Sequence, residues 1–316
     1  MNNLRQIQVA SQNCNRFPYR KPKRQWSEPV AEPLPLPWKD MTLLAGIICK
    51  NGIVMAADSQ QTHSDQKRMG VNKISLIEFA NTHTLVAEAG AAAWSYKAVD
   101  RIRQRAEGVE VVSRYTITDV IEEAVRFVNS DMRQAYGTSR TTDEQWRDFI
   151  LDDRCSFELL CAYYYEEKPH LFRVSLGVPS AQPSPIFYQA SGIGRDLAEY
   201  LLAEYASPDM EPEFAASIAI YVTEKVNEVN LYCSGHSALG LLRLVHKNLT
   251  DDERLVQPRV LTPEEISELG TLIRDVEHET KTERDKILTD RLRERTRKMI
   301  EQAFNPKRPT EDSPLY

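Results

Sequence analysis

Thr42-Leu43-Leu44-Ala45-Gly46-Ile47-Ile48-Cys49-Lys50-Asn51-Gly52-Ile53-Val54-Met55-Ala56-Ala57-Asp58-Ser59 is the stretch that decides how this chain folds. Two apolar runs flank Asn51-Gly52, a pair of residue types that tolerate positive φ, so the stretch reads as a β-hairpin with strands over 43–49 and 53–58. A threonine stands before the first strand and an aspartate closes the second. A strict two-residue loop at Asn51-Gly52 pairs Lys50 with Ile53 and puts Asp58 opposite Ala45, on the sheet face that Thr42 avoids; a bulge or a longer turn is therefore expected.

Working outward, further strands are predicted over 73–76 and 84–88, rich in Ile, Leu, Val and Ala. Two helices follow, over 91–105 and 117–132, the second showing Ile117, Val120, Ile121, Ala124, Val125 and Val128 as one apolar face at helical spacing. A second β block comes next, with strands over 157–165 and 170–176 around Glu166-Glu167-Lys168-Pro169 and another over 186–190. Helices over 196–205 and 212–229 and a last core strand over 238–245 complete the pattern. Strands, two helices, strands, two helices and a strand predict an α+β fold in which two antiparallel sheets lie between helix layers, a four-layer αββα sandwich.

The ends differ from this core. Residues 1–41 hold six prolines and seven Lys or Arg against three acids, with little apolar periodicity, and read as a disordered, basic, Pro-rich leader that would be removed as a propeptide. After residue 248 the composition turns to charge, giving three segments: leader 1–41, domain 42–248 and a helical C-terminal extension 249–316. Thr262-Pro263-Glu264-Glu265 carries an N-cap, Pro at the first helical position and Glu three residues after the cap, so a helix begins there. Its seam of Ile266, Leu269, Ile273 and Val276 is expected to pack on a neighbouring subunit, and 277–298 is expected to be a solvated helix or frayed tail.

Composition narrows the classes. Of 316 residues 41% are hydrophobic and 27% charged, enough for a proper core. The net charge of −6, with the excess basic residues confined to the leader, gives no footing for nucleic acid or an anionic membrane. No apolar run reaches the roughly 20 residues of a membrane span, and no secretory signal precedes the core. A cytoplasmic location is expected. Five cysteines without a C-x-x-C pair and six scattered histidines argue against a disulfide framework or metal site, and no Gly-rich phosphate loop follows a predicted strand, so no cofactor is expected.

Thr42, Asp58 and Lys73 are the parts of an amidase whose nucleophile is its own N-terminal residue. A threonine hydroxyl is a poor nucleophile until its proton is taken, and a free α-amine, with an ordinary pKa of about 7.7–8, is suited to take it. Thr42 must then be freed from residues 1–41, by self-cleavage after Met41 or because translation begins at Met41. Lys73 would favour the alkoxide and Asp58 would hold the lysine charged.

The chain from Thr42 to about Val245 resembles proteasome β-subunits and their bacterial and archaeal relatives, all N-terminal-nucleophile (Ntn) hydrolases. The resemblance rests on the opening hairpin, Thr62, Asn72-Lys73-Ile74, Leu85-Val86-Ala87-Glu88-Ala89-Gly90 leading into a helix, Tyr188-Gln189-Ala190-Ser191-Gly192-Ile193-Gly194 leading into a helix, and Ser234-Gly235. It implies Thr42 as nucleophile, Lys73 and Asp58 as charge partners, the Ala87 N–H as oxyanion donor and Ser234 as a hydroxyl near the α-amine. Two positions depart from the family pattern: Ile193 where a serine is usual, and Leu231 where an aspartate is usual, with Asn230 or Glu228 as substitutes only after a local shift. The implied protein is a threonine peptidase subunit of a homo-oligomeric ring that admits unfolded polypeptide, with an ATPase or other ring as partner. A non-catalytic ring or scaffold subunit, and an Ntn hydrolase of small amides, are the competing readings. Glu88 would favour basic substrate side chains if it faces the groove; Trp94 and Tyr96 read as packing or subunit contact.

Overall fold

The computed structural model describes residues 42–63, 66–68, 70–136, 142–150, 156–230, 233, 237–246, 254–279 and 293–304. The expected leader, Leu231 and the Ser234-Gly235-His236 turn lie outside them.

The opening stretch forms strands β1 (Leu43–Cys49) and β2 (Gly52–Asp58), but their register differs from a strict Asn51-Gly52 loop. Cys49 pairs with Gly52, so Lys50 and Asn51 make the turn, and Asn51 takes the positive φ at 55°. No bulge interrupts the ladder from Leu44–Ala57 to Cys49–Gly52. The glycine is needed for clearance instead: a Cβ on Gly52 would lie 2.8 Å from Pro212 Cγ. This two-residue shift brings Asp58 beside Leu43, whose N–H its Oδ1 accepts at 3.0 Å.

A short hairpin, β3 (Gln61–His63) and β4 (Gln66–Arg68), follows, then β5 (Ile74–Glu78), β6 (His83–Gly90) and helices α1 (Ala92–Ala106), α2 (Arg114–Ala135) and α3 (Asp143–Ile150). The second β block is β7 (Phe157–Tyr165), β8 (Lys168–Ser175), β9 (Gln182–Pro183) and β10 (Tyr188–Gly192). Then come α4 (Arg195–Tyr205), α5 (Pro212–Val229), β11 (Ser237–His246), β12 (Arg254–Val260), α6 (Pro263–Glu279) and α7 (Arg293–Phe304). One antiparallel sheet has the order β10-β1-β2-β11-β12 and the other β5-β6-β7-β8-β9.

Strand alternation sorts the core into three apolar sets. Leu44, Met55, Ala57, Leu85, Ala87 and Leu160 face the space between the sheets. Leu43, Ala45, Val54 and Leu239 face α4 and α5, while Val86, Leu159 and Cys161 face α1 and α2. The result is the expected αββα sandwich.

The C-terminal extension behaves differently from expectation. Its cap forms as predicted, with Thr262 N–H on Glu265 Oε2 at 2.9 Å and Glu265 N–H on Thr262 Oγ1 at 3.3 Å. The seam does not wait for a neighbour: Ile266, Leu269 and Ile273 are buried in the chain's own core, over α5 and β11. Val276 lies outside the described side chains. Nor is the charged stretch simply solvated, because α7 buries Ile300 and Thr296, the latter 2.7 Å from Ser217 on α5. The cause is α5, apolar on nearly every side, which needs cover beyond what the sheet and α4 provide. Leu269→Ala should therefore destabilise the fold by about 2–5 kcal/mol in denaturant unfolding; unchanged stability with a lower assembly mass would instead place the seam at a subunit contact.

Candidate active site

Thr42, Asp58 and Lys73 come together at one end of the sandwich, contributed by both sheets. Thr42 precedes β1 and Asp58 ends β2 in one sheet; Lys73 leads into β5 of the other. Lys73 Nζ donates to Thr42 Oγ1 at 2.7 Å and to Asp58 Oδ1 at 3.0 Å. All three are buried, Asp58 completely. Burial pushes the Asp58 carboxyl above its ordinary range, against the pull of the Lys73 ammonium and of the Leu43 N–H. The ammonium is thus the main offset to a costly buried carboxylate, and removing either partner strands a charge.

The threonine is fixed by its backbone as well. The Ile193 N–H donates to the Thr42 carbonyl at 3.0 Å. Gly192, with φ of 88°, lets β10 come this close: a Cβ there would lie 1.8 Å from that carbonyl oxygen. The Gly192-Ile193-Gly194 signal in the sequence therefore marks a backbone clamp on Thr42. Ile193 supplies the N–H and no hydroxyl. Glu228, one candidate for the missing aspartate, is ion-paired at 3.0 Å with Lys225 on the solvent side of α5.

Ala87 stands differently from the sequence expectation. It pairs with Ile74 on one side and Leu160 on the other, inside the ladder. Glu88 donates its N–H to the Lys73 carbonyl at 3.0 Å, so the alternation of an antiparallel strand turns the Ala87 N–H the other way, toward Leu160 of β7. Gly90 ends β6 with φ of 96°. Continuing that alternation and the β5–β6 register puts its N–H on the side of that of Glu88, at the level of Val71, before β5 has begun. On this alternation Gly90 rather than Ala87 is the candidate donor, and the sequence signal for it is a glycine just ahead of a helix start.

Two other buried groups border the trio. Glu88 is buried against α1, its Oε2 lacking a hydrogen-bond partner among the described residues. Burial pushes its carboxyl up to about 7, opposed by the Ser95 hydroxyl and Lys73. The Cys233 thiol is pushed up to about 12 by burial and then by Asp58, which keeps it protonated and unreactive. Trp94 packs against Tyr136, with ring centroids 6.1 Å apart.

Among the described residues no three His, Cys, Asp or Glu side chains converge on a metal-sized site. The trio's chemistry is that of a hydroxyl polarised by an ammonium, the ammonium held by a carboxylate.

Comparison with known proteins agrees with this architecture. The Anbu complex of Pseudomonas aeruginosa, solved as a helical assembly, superposes with a TM-score of 0.57 at 17% identity, covering 75% of this chain and 93% of that one. Anbu, an ancestral β-subunit, from Yersinia bercovieri gives 0.56 at 16% identity over 75% and 93%. A Gly-1 mutant of Anbu from Hyphomicrobium sp. strain MC1 gives 0.54 at 16% identity over 75% and 96%. At these identities the likeness speaks for the fold alone. No functionally curated protein matches the chain. The model of the proteasome subunit family matches residues 42–234, more than half of the sequence and the whole span that carries the trio: the chain belongs to the proteasome subunit family.

Proposed function

We propose that this chain is a threonine-type endopeptidase subunit of a self-compartmentalising, proteasome-like assembly, with Thr42 as nucleophile once residues 1–41 are removed. The observation that carries the reading is Lys73 Nζ between Thr42 Oγ1 at 2.7 Å and Asp58 Oδ1 at 3.0 Å. In the proposed reaction the freed α-amine of Thr42 takes the Oγ proton, and Oγ attacks the scissile carbonyl carbon. Lys73 stabilises the oxygen as it loses its proton, and the Gly90 N–H, rather than that of Ala87, receives the oxyanion. The α-ammonium then protonates the leaving amine. Water, deprotonated by the same α-amine, frees the acyl group and restores Oγ–H. Ser234 is retained as the hydroxyl near that amine.

Glu88 supports a preference for Lys or Arg before the scissile bond, since a buried carboxyl with one oxygen lacking a hydrogen-bond partner among the described residues, on the strand that leads to Gly90, would be satisfied by a cationic side chain. The helical Anbu assembly supports self-association of this chain into a homo-oligomeric ring or helix; unfolded polypeptide as substrate and an ATPase or similar ring as partner belong to the same proposal. No described helix is long and apolar enough to cross a membrane, which fits the cytoplasmic setting proposed for such an assembly. In this reading residues 42–248 carry the chemistry and the helices of 249–316 brace them. A non-catalytic scaffold subunit is the second reading, favoured by Ile193, which brings no hydroxyl to Thr42, and by the outward-facing Glu228.

Intact-mass and N-terminal sequencing of the native protein should find Thr42 first, and fluorogenic peptides with Lys or Arg before the bond should be cleaved faster than their Leu analogues. Thr42→Ala should abolish cleavage; a fully assembled sample that keeps its leader and cleaves nothing would favour the scaffold. Glu88→Gln should erase the basic preference. It should also alter the pH dependence of stability. The raised Glu88 pKa contributes stability that is complete below the ordinary value near 4.5 and is lost as pH rises through about 7. Relative to wild type the Gln variant should therefore gain up to about 3 kcal/mol between pH 4 and pH 8 in denaturant unfolding; parallel stability curves for the two proteins would contradict the buried, raised carboxyl.

A further inference from the structure

The candidate site is assembled from both sheets, so the spacing between them at this end sets the distance from Thr42 to Lys73. Packed sheets stand about 10 Å apart, and apolar packing alone fixes that gap loosely at an open end. Thr42 is clamped to the end of β10 through Gly192 and Ile193. Yet among the described residues β10 is an edge strand, with β1 as its one neighbour in the sheet. Beyond that ladder it is held by packing on α4 and against the opposite sheet.

Ser191 is fully buried on β10, and its Oγ donates to Glu158 Oε2, on β7 of the opposite sheet. Glu158 is paired in register with Ala89, so it projects from the same end of the second sheet as Gly90. Behind it stand Arg173 of β8, with Nη1 3.9 Å from Glu158 Oε1, and Gln182 of β9, whose Oε1 accepts from Arg173 Nη2 at 2.8 Å. A polar chain thus runs from β10 across the sandwich and along β7, β8 and β9. It joins the strand that clamps Thr42 to the sheet that carries Lys73.

We propose that Glu158 and Ser191 are positioning residues for the nucleophile, a tie of fixed length between the sheets that holds the Gly192-Ile193 clamp, and with it Thr42, in register with Lys73. The consequence for catalysis rests on the peptidase reading; the tie itself does not. The length of the Glu158 side chain matters more than its charge, because what Ser191 needs is an acceptor at that reach. The Arg173 and Gln182 contacts stiffen Glu158 in that pose.

Amide hydrogen exchange of the full chain, read at Ile193, tests the tie without reference to activity. Ser191→Ala, Glu158→Ala and Glu158→Asp, which is shorter by about 1.5 Å, should each speed Ile193 exchange about tenfold or more, while Glu158→Gln, which keeps reach and acceptor, should stay within about threefold of wild type. The Ser191→Ala/Glu158→Ala double variant should exchange no faster than either single variant. Where wild type cleaves peptides, kcat should follow the same order, with KM little changed. Wild-type exchange at Ile193 in Ser191→Ala, or failure of Gln to act as wild type while Asp does, would overturn the proposal. Ser191→Ala deletes one oxygen and decides the matter if Glu158→Ala fails to fold. An uncleaved peptide with the predicted exchange order would sink the peptidase reading and leave the tie standing.

Discussion

The contact of the Lys73 ammonium with both Thr42 and Asp58 is the constraint on which the rest of the structure depends. It joins side chains from two sheets at zero solvent exposure for Asp58, where a carboxylate without a cation would be untenable. Everything around it serves to hold that geometry. The β1–β2 register delivers Asp58 to Leu43, Gly192 lets β10 approach the Thr42 carbonyl, and the Glu88 N–H anchors the Lys73 carbonyl. The helical layers keep water out, and α6 and α7 complete the cover of α5.

Much of this frame is visible in the sequence. The hairpin, the α2 face, the Glu166-Glu167 turn with both residues at positive φ, and the Thr262-Pro263 cap follow from local rules of periodicity and turn chemistry. The turn register does not. Moving the loop from Asn51-Gly52 to Lys50-Asn51 shifts pairing by two residues, which leaves every side chain on its own face, so the hydrophobic pattern is blind to it. Only the packing of Gly52 under Pro212 and the needs of Asp58 choose between the two. The same blindness hid the N–H directions in β6: composition and spacing say nothing about whether Ala87 or Gly90 turns its donor out of the ladder.

The C-terminal helices show the other limit of a pattern. The seam of Ile266, Leu269 and Ile273 reads correctly as amphipathic, but amphipathicity does not say which apolar surface it meets. The answer lay in α5, whose sequence is apolar beyond one stripe and so calls for a second layer from its own chain. Strand β12 carries little sequence signal because its residues alternate weakly and none is buried, at a sheet edge. The polar tie from Ser191 to Glu158 is invisible for a similar reason: a serine and a glutamate 33 residues apart carry no signal until the topology places β10 over β7.

The central claim is that Lys73, held by Asp58, makes Thr42 the one reactive hydroxyl of the chain. Mapping the adduct of an acyl-transferring β-lactone by tandem mass spectrometry, in wild type and in Lys73→Ala, tests it most directly. The account predicts a single ester on Thr42 in the wild type and none in the variant; modification at another residue, or an equal yield on Thr42 without Lys73, would contradict it.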